Sequence, residues 1–265
     1  MKLNDLIAIE REKGYNLANA EAKVCQDIVL KAISESSFNR NVTIKGGVVM
    51  RSISGNMRRA TQDIDLDFIK YSLSDDSIDA FINKLNCLQG IIIERTGPIK
   101  EMKQQDYHGK RVLIRISDEE GKKIDSKIDI GVHKHLEVEQ QEYCFDIAFD
   151  DEGASLLINS YEQMFTEKLK PMLKLGRYST RYRDIFDLYY LKDIISKDSL
   201  KKCIDALIIN DPEMREQDME TIISRFEKSA MERSFLKGAE RTDRNWLDIE
   251  PERAVKSIAD FLKKL

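Results

Sequence analysis

The chain has 265 residues, 42% hydrophobic and 34% charged, with 12 glycines and 4 prolines. That composition fills one large core or two modest ones and excludes collagen-like and disordered chains. Forty-three basic residues against forty-seven acidic leave a net charge of −4, so contact with a polyanion must come from a local patch rather than from the field of the whole molecule.

The first forty residues are expected to be helical, with Val24, Ile28, Val29 and Ala32 spaced for one apolar face. Residues 42–44 then read as a short strand that ends at Lys45-Gly46-Gly47, followed by a short helix through Val48, Val49, Met50 and Arg51. From 63 to 69 acid and apolar residues alternate, the signature of a second strand. Ile78, Phe81, Ile82, Leu85 and Leu88 return to helical spacing, and three extended runs follow at 90–94, 111–116 and 127–132. Residues 137–152 are rich in acids and hold no Lys or Arg. A helical signal begins near Asn159, and the remainder reads as nearly all helix. These patterns predict an α+β fold: a mixed β-sheet flanked by helices over residues 1–152, then a mainly α-helical domain over 153–265.

No run approaches eighteen apolar residues, and the opening segment MKLNDLIAIEREKG lacks a long apolar stretch before a small-residue cleavage site. A cytoplasmic protein without a membrane partner is expected. Cys25, Cys87, Cys144 and Cys203 form no C-x-x-C pair and read as buried thiols. His108, His133 and His135 are the only histidines. His133 and His135 share the alternation of Asp129, which makes a transition-metal site a minor alternative to strand-end residues.

The chemistry concentrates between residues 45 and 67. On a strand Asp63, Asp65 and Asp67 point one way while Ile64, Leu66 and Phe68 point into the core. Crowded carboxylates repel unless a cation neutralises them, and hard divalent ions such as Mg²⁺ prefer oxygen ligands. The competing reading is an edge strand with a solvated acidic face. Upstream, Gly46 and Gly47 between a strand and a helix let the backbone approach a phosphate, and Arg58 and Arg59 can meet further phosphate charge. Together these features favour nucleotide chemistry. In the second half Lys168, Lys170, Lys174, Arg177, Arg181 and Arg183 occur with no acid among them, interleaved with Tyr178 and Tyr182. Such a patch can hold phosphate charge and stack a base, or serve as a solvated face.

The K-G-G-x-x-x-R block from Lys45 to Arg51, the segment Arg59-Ala60-Thr61-Gln62-Asp63-Ile64-Asp65, and Lys168 followed by Arg183-Asp184-Ile185-Phe186-Asp187-Leu188 resemble the AbiEii/AbiGii toxin nucleotidyltransferases, a branch of the DNA polymerase β-like nucleotidyltransferase superfamily. The resemblance implies a nucleotidyltransferase-like sheet and transfer of a nucleoside monophosphate from an NTP to an acceptor with two Mg²⁺ ions. It further implies a toxin of a toxin–antitoxin or phage-defence pair, with RNA (tRNA) as acceptor and an antitoxin protein as partner. On this basis Asp63 and Asp65 are metal ligands and Asp129 is the third carboxylate, with Asp125 as the alternative. Lys45, Gly46, Gly47, Arg51, Arg59, Thr61, Lys168 and Arg183 bind the nucleotide, and Asp184 or Asp187 completes the site. Asp184 as a helix cap and Asp187 paired with Arg183 or Lys192 are the structural alternatives. Superfamily members usually carry Gly-Ser where this chain has Gly-Gly, and Ser52, Ser54 and Thr61 are the candidate hydroxyls. A metal-dependent phosphohydrolase or nuclease, and a non-catalytic binding module, are the alternative functions.

Overall fold

Apolar periodicity and side-chain caps set most of the elements. The computed structural model describes residues 1–102, 109–135 and 137–265, so His108 lies outside the described residues. Helices α1 (Leu3–Glu12) and α2 (Leu17–Glu35) open the chain. Asn16 starts α2 by accepting the Asn19 amide at 2.9 Å, and the helix buries Val24, Ile28, Val29 and Ala32 as its spacing predicts.

The described residues then form one mixed sheet from β1 (Val42–Lys45), β2 (Ile64–Phe68), β3 (Ile91–Arg95), β4 (Lys100–Met102), β5 (Gly109–Asp118), β6 (Lys123–Val132), β7 (Gln141–Ile147) and β8 (Asp150–Ile158). The order is β3-β5-β6-β2-β1-β8-β7, with β4 also paired to β5. Helix α3 (Gly46–Ser54) follows β1 directly and α4 (Asp75–Lys84) follows β2. Strands β1 and β2 are antiparallel, whereas β2 and β6 are parallel. Their inward residues Ile44, Ile64, Leu66, Phe68, Ile128 and Ile130 are fully buried, each worth roughly 1.5–3 kcal/mol of apolar transfer. Helix α2 packs over β6, β7 and β8.

The second part of the chain is helical: α5 (Tyr161–Leu175), α6 (Tyr182–Leu191), α7 (Lys197–Ile204), α8 (Met219–Ala230), α9 (Arg233–Ala239) and α10 (Pro251–Leu262). Helix α5 packs against α6, α7 and α8, and α10 packs against α6 and α8. Ser160 caps α5 by accepting the Gln163 amide at 3.1 Å. Asp218 and Thr221 form a reciprocal capping box on α8.

The described residues divide into two compact units, 1–134 with 140–159, and 135–139 with 160–265. In the second, Val138 packs with Cys203 and Leu207. The expected boundary at 152/153 falls inside β8. The acidic stretch read as a junction instead contains the β7–β8 hairpin, where Phe145 and Ile147 are buried between exposed Glu142, Cys144 and Asp146. The cysteines also need correction. Cys25 and Cys203 are buried, and burial pushes their thiols up to about 12 and about 11, but Cys87 and Cys144 are exposed. Among the described residues no helix is long and apolar enough to cross a membrane.

Candidate active site

Lys45 ends β1 and Gly46 begins α3 with no linker between them. Gly46 holds φ +68°, a left-handed conformation that favours glycine. A Cβ there would come under 3.0 Å from Oδ2 of Asp65, and a Cβ on Gly47 would lie 2.6 Å from Oγ1 of Thr61. Gly46 is therefore favoured by its left-handed backbone, with the Asp65 carboxylate lying against it, and Gly47 by the close approach of the whole Thr61 side chain. Of the three candidate hydroxyls, it is that of Thr61 that lies against the start of α3, whereas Ser54 Oγ donates to the Arg51 carbonyl at 3.3 Å.

Sheet register assembles the acids. Asp65 on β2 stands opposite Lys45 on β1 and opposite Asp129 on β6. Asp129 accepts a bidentate pair from Arg111 on β5, Nε to Oδ1 and Nη2 to Oδ2, both 2.7 Å. Asp63 Oδ1 pairs with Lys127 Nζ at 2.9 Å, and Asp67 Oδ1 with Lys45 Nζ at 2.6 Å, both largely buried. Hydrogen bonding to Asp129 holds the Arg111 guanidinium above its ordinary pKa range against the opposing effect of burial, and the fields of Asp129, Asp63 and Asp65 add to the shift. Three expected ligands thus act on one guanidinium. Asp125 belongs elsewhere: it pairs with Arg115 at 2.8 and 3.1 Å, past the end of the β2–β6 register that runs from Ile64–Ile128 to Phe68–Val132.

Arg51 is buried on α3, and its Nη1 donates to Oε1 of Gln26. Burial lowers its pKa, while Asp27, Tyr15 and Glu10 act the other way. Gln26 Nε2 in turn donates to the Thr61 carbonyl at 2.8 Å and the Asp63 carbonyl at 3.4 Å. Arg59 is buried in a short 3₁₀ turn, Met57–Arg59, just before Thr61.

In the second unit Lys168 on α5 bridges Asp184 Oδ1 at 3.0 Å and Asp187 Oδ2 at 2.6 Å on α6. Trp246 Nε1 donates to Asp187 Oδ1 at 3.0 Å. Of the residues expected to pair with Asp187, Arg183 donates from Nη2 to the Asp243 carbonyl at 2.8 Å, and Lys192 pairs with Asp193. Asp184 sits in the first turn of α6, whose N-cap is Arg181. The basic run also meets acids from distant positions, Lys170 with Asp211 and Lys174 with Glu213. Tyr182 packs on Phe235 and beneath Arg244, and Tyr178 remains exposed beside Arg177.

Sequence reasoning missed Arg111, Lys127 and Gln26. The first two stand on strands it identified, but their partners follow from register, which alternation alone does not set; for Gln26 only a polar residue inside an apolar helix run was visible. His133 bonds to Gln140 at 2.7 Å and His135 to Glu137 at 3.1 Å. Among the described residues no group of three or more His, Cys, Asp or Glu is arranged to hold a metal ion, which leaves the transition-metal alternative unsupported. The donor set of Asp63, Asp65 and Asp129 nevertheless suits a hard divalent cation, being all carboxylate oxygen next to a glycine cradle that a Cβ would fill.

A family model described as "Nucleotidyl transferase AbiEii toxin, Type IV TA system" matches residues 28–258. A comparison with curated proteins found no match. Among solved structures, an antigenic nucleotidyltransferase-like protein from Paracoccidioides brasiliensis is similar at TM-score 0.47 and 14% identity, covering 83% of this chain and 91% of that one. The antibiotic-resistance factor ANT(2'')-Ia is similar at TM-score 0.42 and 18% identity, covering 70% and 89%. The family match spans both units and every motif described above, and the chain belongs to the AbiEii family of nucleotidyltransferase toxins of type IV toxin–antitoxin systems.

Proposed function

We propose that this nucleotidyltransferase moves a nucleoside monophosphate from an NTP to a hydroxyl of RNA, a tRNA in particular, with release of pyrophosphate, using Mg²⁺ held by Asp63, Asp65 and Asp129. The observation that carries the reading is the placement of Asp65 opposite Asp129 on neighbouring parallel strands, with its carboxylate against the left-handed Gly46. When bound, two Mg²⁺ ions would neutralise triphosphate charge and make the acceptor hydroxyl easier to deprotonate. Asp129 accepts that proton, and its bidentate Arg111 pair orients the carboxylate. The first-turn amides of α3 receive phosphate oxygens, because the first N–H groups of a helix have no intrahelical acceptor. Thr61 orients against Gly47, while Lys45 and Arg59 contribute positive charge. In the second unit Lys168 is proposed as a phosphate contact, with Asp184 and Asp187 fixing its ammonium.

The reaction belongs in the cytoplasm under this reading, as a toxin restrained by a cognate antitoxin protein and directed against phage infection. The test is incubation of the protein with each α-labelled NTP, Mg²⁺ and total cellular RNA, beside Asp65→Ala. Label entering a tRNA-sized band and lost in the variant is the expected result. Label released only as free nucleotide assigns hydrolysis instead, and label insensitive to Asp65→Ala removes the metal assignment.

A further inference from the structure

The segment Thr61-Gln62-Asp63 carries a candidate hydroxyl and a candidate metal ligand, yet it lies between the 3₁₀ turn ending at Arg59 and the start of β2 at Ile64. It therefore has no ladder or helix to fix it. Its carbonyls at 61 and 63 are taken instead by one side chain on α2, that of Gln26, which is fully buried. The orientation of this amide is determined by chemistry. Arg51 can only donate, so Oε1 must face the guanidinium and Nε2 must face the two carbonyl oxygens. One amide thus joins α2, α3 and the entry to the acidic strand.

We infer that Gln26 is a positioning residue for nucleotidyl transfer: its amide holds the Thr61–Asp63 backbone against α3, so that Thr61 stays seated on Gly47 and Asp63 and Asp65 keep their spacing for a divalent cation. Gln26 lies two residues before the span matched by the family model. The inference rests on the metal reading of Asp63 and Asp65 given above.

Glutamine is singular here because glutamate, the same size, keeps an oxygen for Arg51 but turns a second oxygen, with no proton to give, toward two carbonyl oxygens. Methionine keeps the volume and removes both bonds. The full-length chain and its Gln26→Glu, Gln26→Met and Asp65→Ala variants are compared by thermal melting, by Mn²⁺ titration followed by electron paramagnetic resonance without nucleotide, and by steady-state transfer kinetics.

The expected result is a folded Gln26→Glu protein whose Mn²⁺ affinity and kcat each fall about 10–100-fold, as for other groups that orient metal ligands, with the NTP KM unchanged. A purely structural role would lower the melting temperature without moving Mn²⁺ affinity. Wild-type Mn²⁺ affinity and kcat in folded Gln26→Glu or Gln26→Met overturn the inference, and so does failure of both variants to fold. Asp65→Ala separates the two levels. Lost Mn²⁺ binding in Asp65→Ala with intact binding in the Gln26 variants sinks only the role of Gln26, whereas intact binding in Asp65→Ala sinks the metal reading and this inference with it.

Discussion

Each unit of the molecule brings acids and cations together, and the two groupings differ in access. In the sheet unit Asp63, Lys127 and Arg111 keep 40, 33 and 34% of their side-chain surface while Asp129 keeps 5%, so a solute can reach the Asp63–Lys127 pair and the outer side of the Arg111 guanidinium. In the helical unit Lys168 keeps 12%, Asp184 13% and Asp187 none, and Trp246 takes the remaining oxygen of Asp187. Both groupings come from short acid motifs, D-x-D on a strand and D-x-x-D on a helix. The sheet gathers acids from neighbouring strands, Asp65 on β2 and Asp129 on β6, beside a cradle. The helix stacks its acids on one face, where α5 supplies a lysine between them. A motif's chemistry is set by what the fold lets approach it.

Substitutions can break this contrast. The largest effect is expected from Asp65→Ala, with transfer falling on the order of 10²–10³-fold, the scale for losing one charge-stabilising group in an active site, and with the melting temperature nearly unchanged. Transfer kinetics beside a melt check it, and a large fall in stability would make Asp65 a residue on which the fold depends. Asp187→Ala is expected to act in the opposite sense. It takes one of two carboxylates from the buried Lys168 ammonium, leaving Asp184, and removes the Asp187 acceptor of the Trp246 N–H, a loss of about 1–3 kcal/mol that urea unfolding would register as a lower midpoint. Wild-type stability in that variant would show the helical knot to be dispensable to the fold.

Two smaller changes sharpen the comparison. Gly46→Ala places a Cβ against Asp65 on a left-handed backbone, and about 1–3 kcal/mol of stability should be lost to overpacking, with metal affinity falling alongside. Stability lost with Mn²⁺ affinity intact would detach the cradle from the metal strand. The smallest effect concerns acid. Backbone and side-chain hydrogen bonds from Thr221 hold Asp218 below its ordinary carboxylate value of 3.8. A depressed folded pKa contributes stability that is present above the unfolded value and is lost as pH falls through the folded one. The helical unit should therefore lose stability below pH 3.8, and Asp218→Asn should flatten that limb in melts taken across the acid range.

Much of the sheet was legible because the inward residues of β1, β2 and β6 alternate cleanly with polar ones. The β7–β8 hairpin was not, because its acids, Glu142, Asp146, Asp150, Asp151 and Glu152, come with no Lys or Arg among them, and such a run of charge reads as a junction. The glycine pair and Asp65 were visible as separate signals, yet only coordinates show that each glycine answers to a particular side chain. Arg111 is the plainest omission. Its role depends on which residue of β6 lies across from it, and in an antiparallel pair that is decided by the turn and the core rather than by any local pattern. The basic run around Lys170 and Lys174 misled for a similar reason, since its counterions arrive from positions 41 and 39 residues downstream.

The parallel alignment of β2 with β6 has a further consequence for how this chain tolerates change. Because neighbouring positions on a strand point to opposite sides, a shift of one residue would bring Ile128 or Ile130 level with Asp65 and drive Asp129 into the oily interior. The greasy contacts beneath the sheet therefore act as a ruler for the charged surface above it, and conservative swaps among those aliphatics can detune chemistry they never touch.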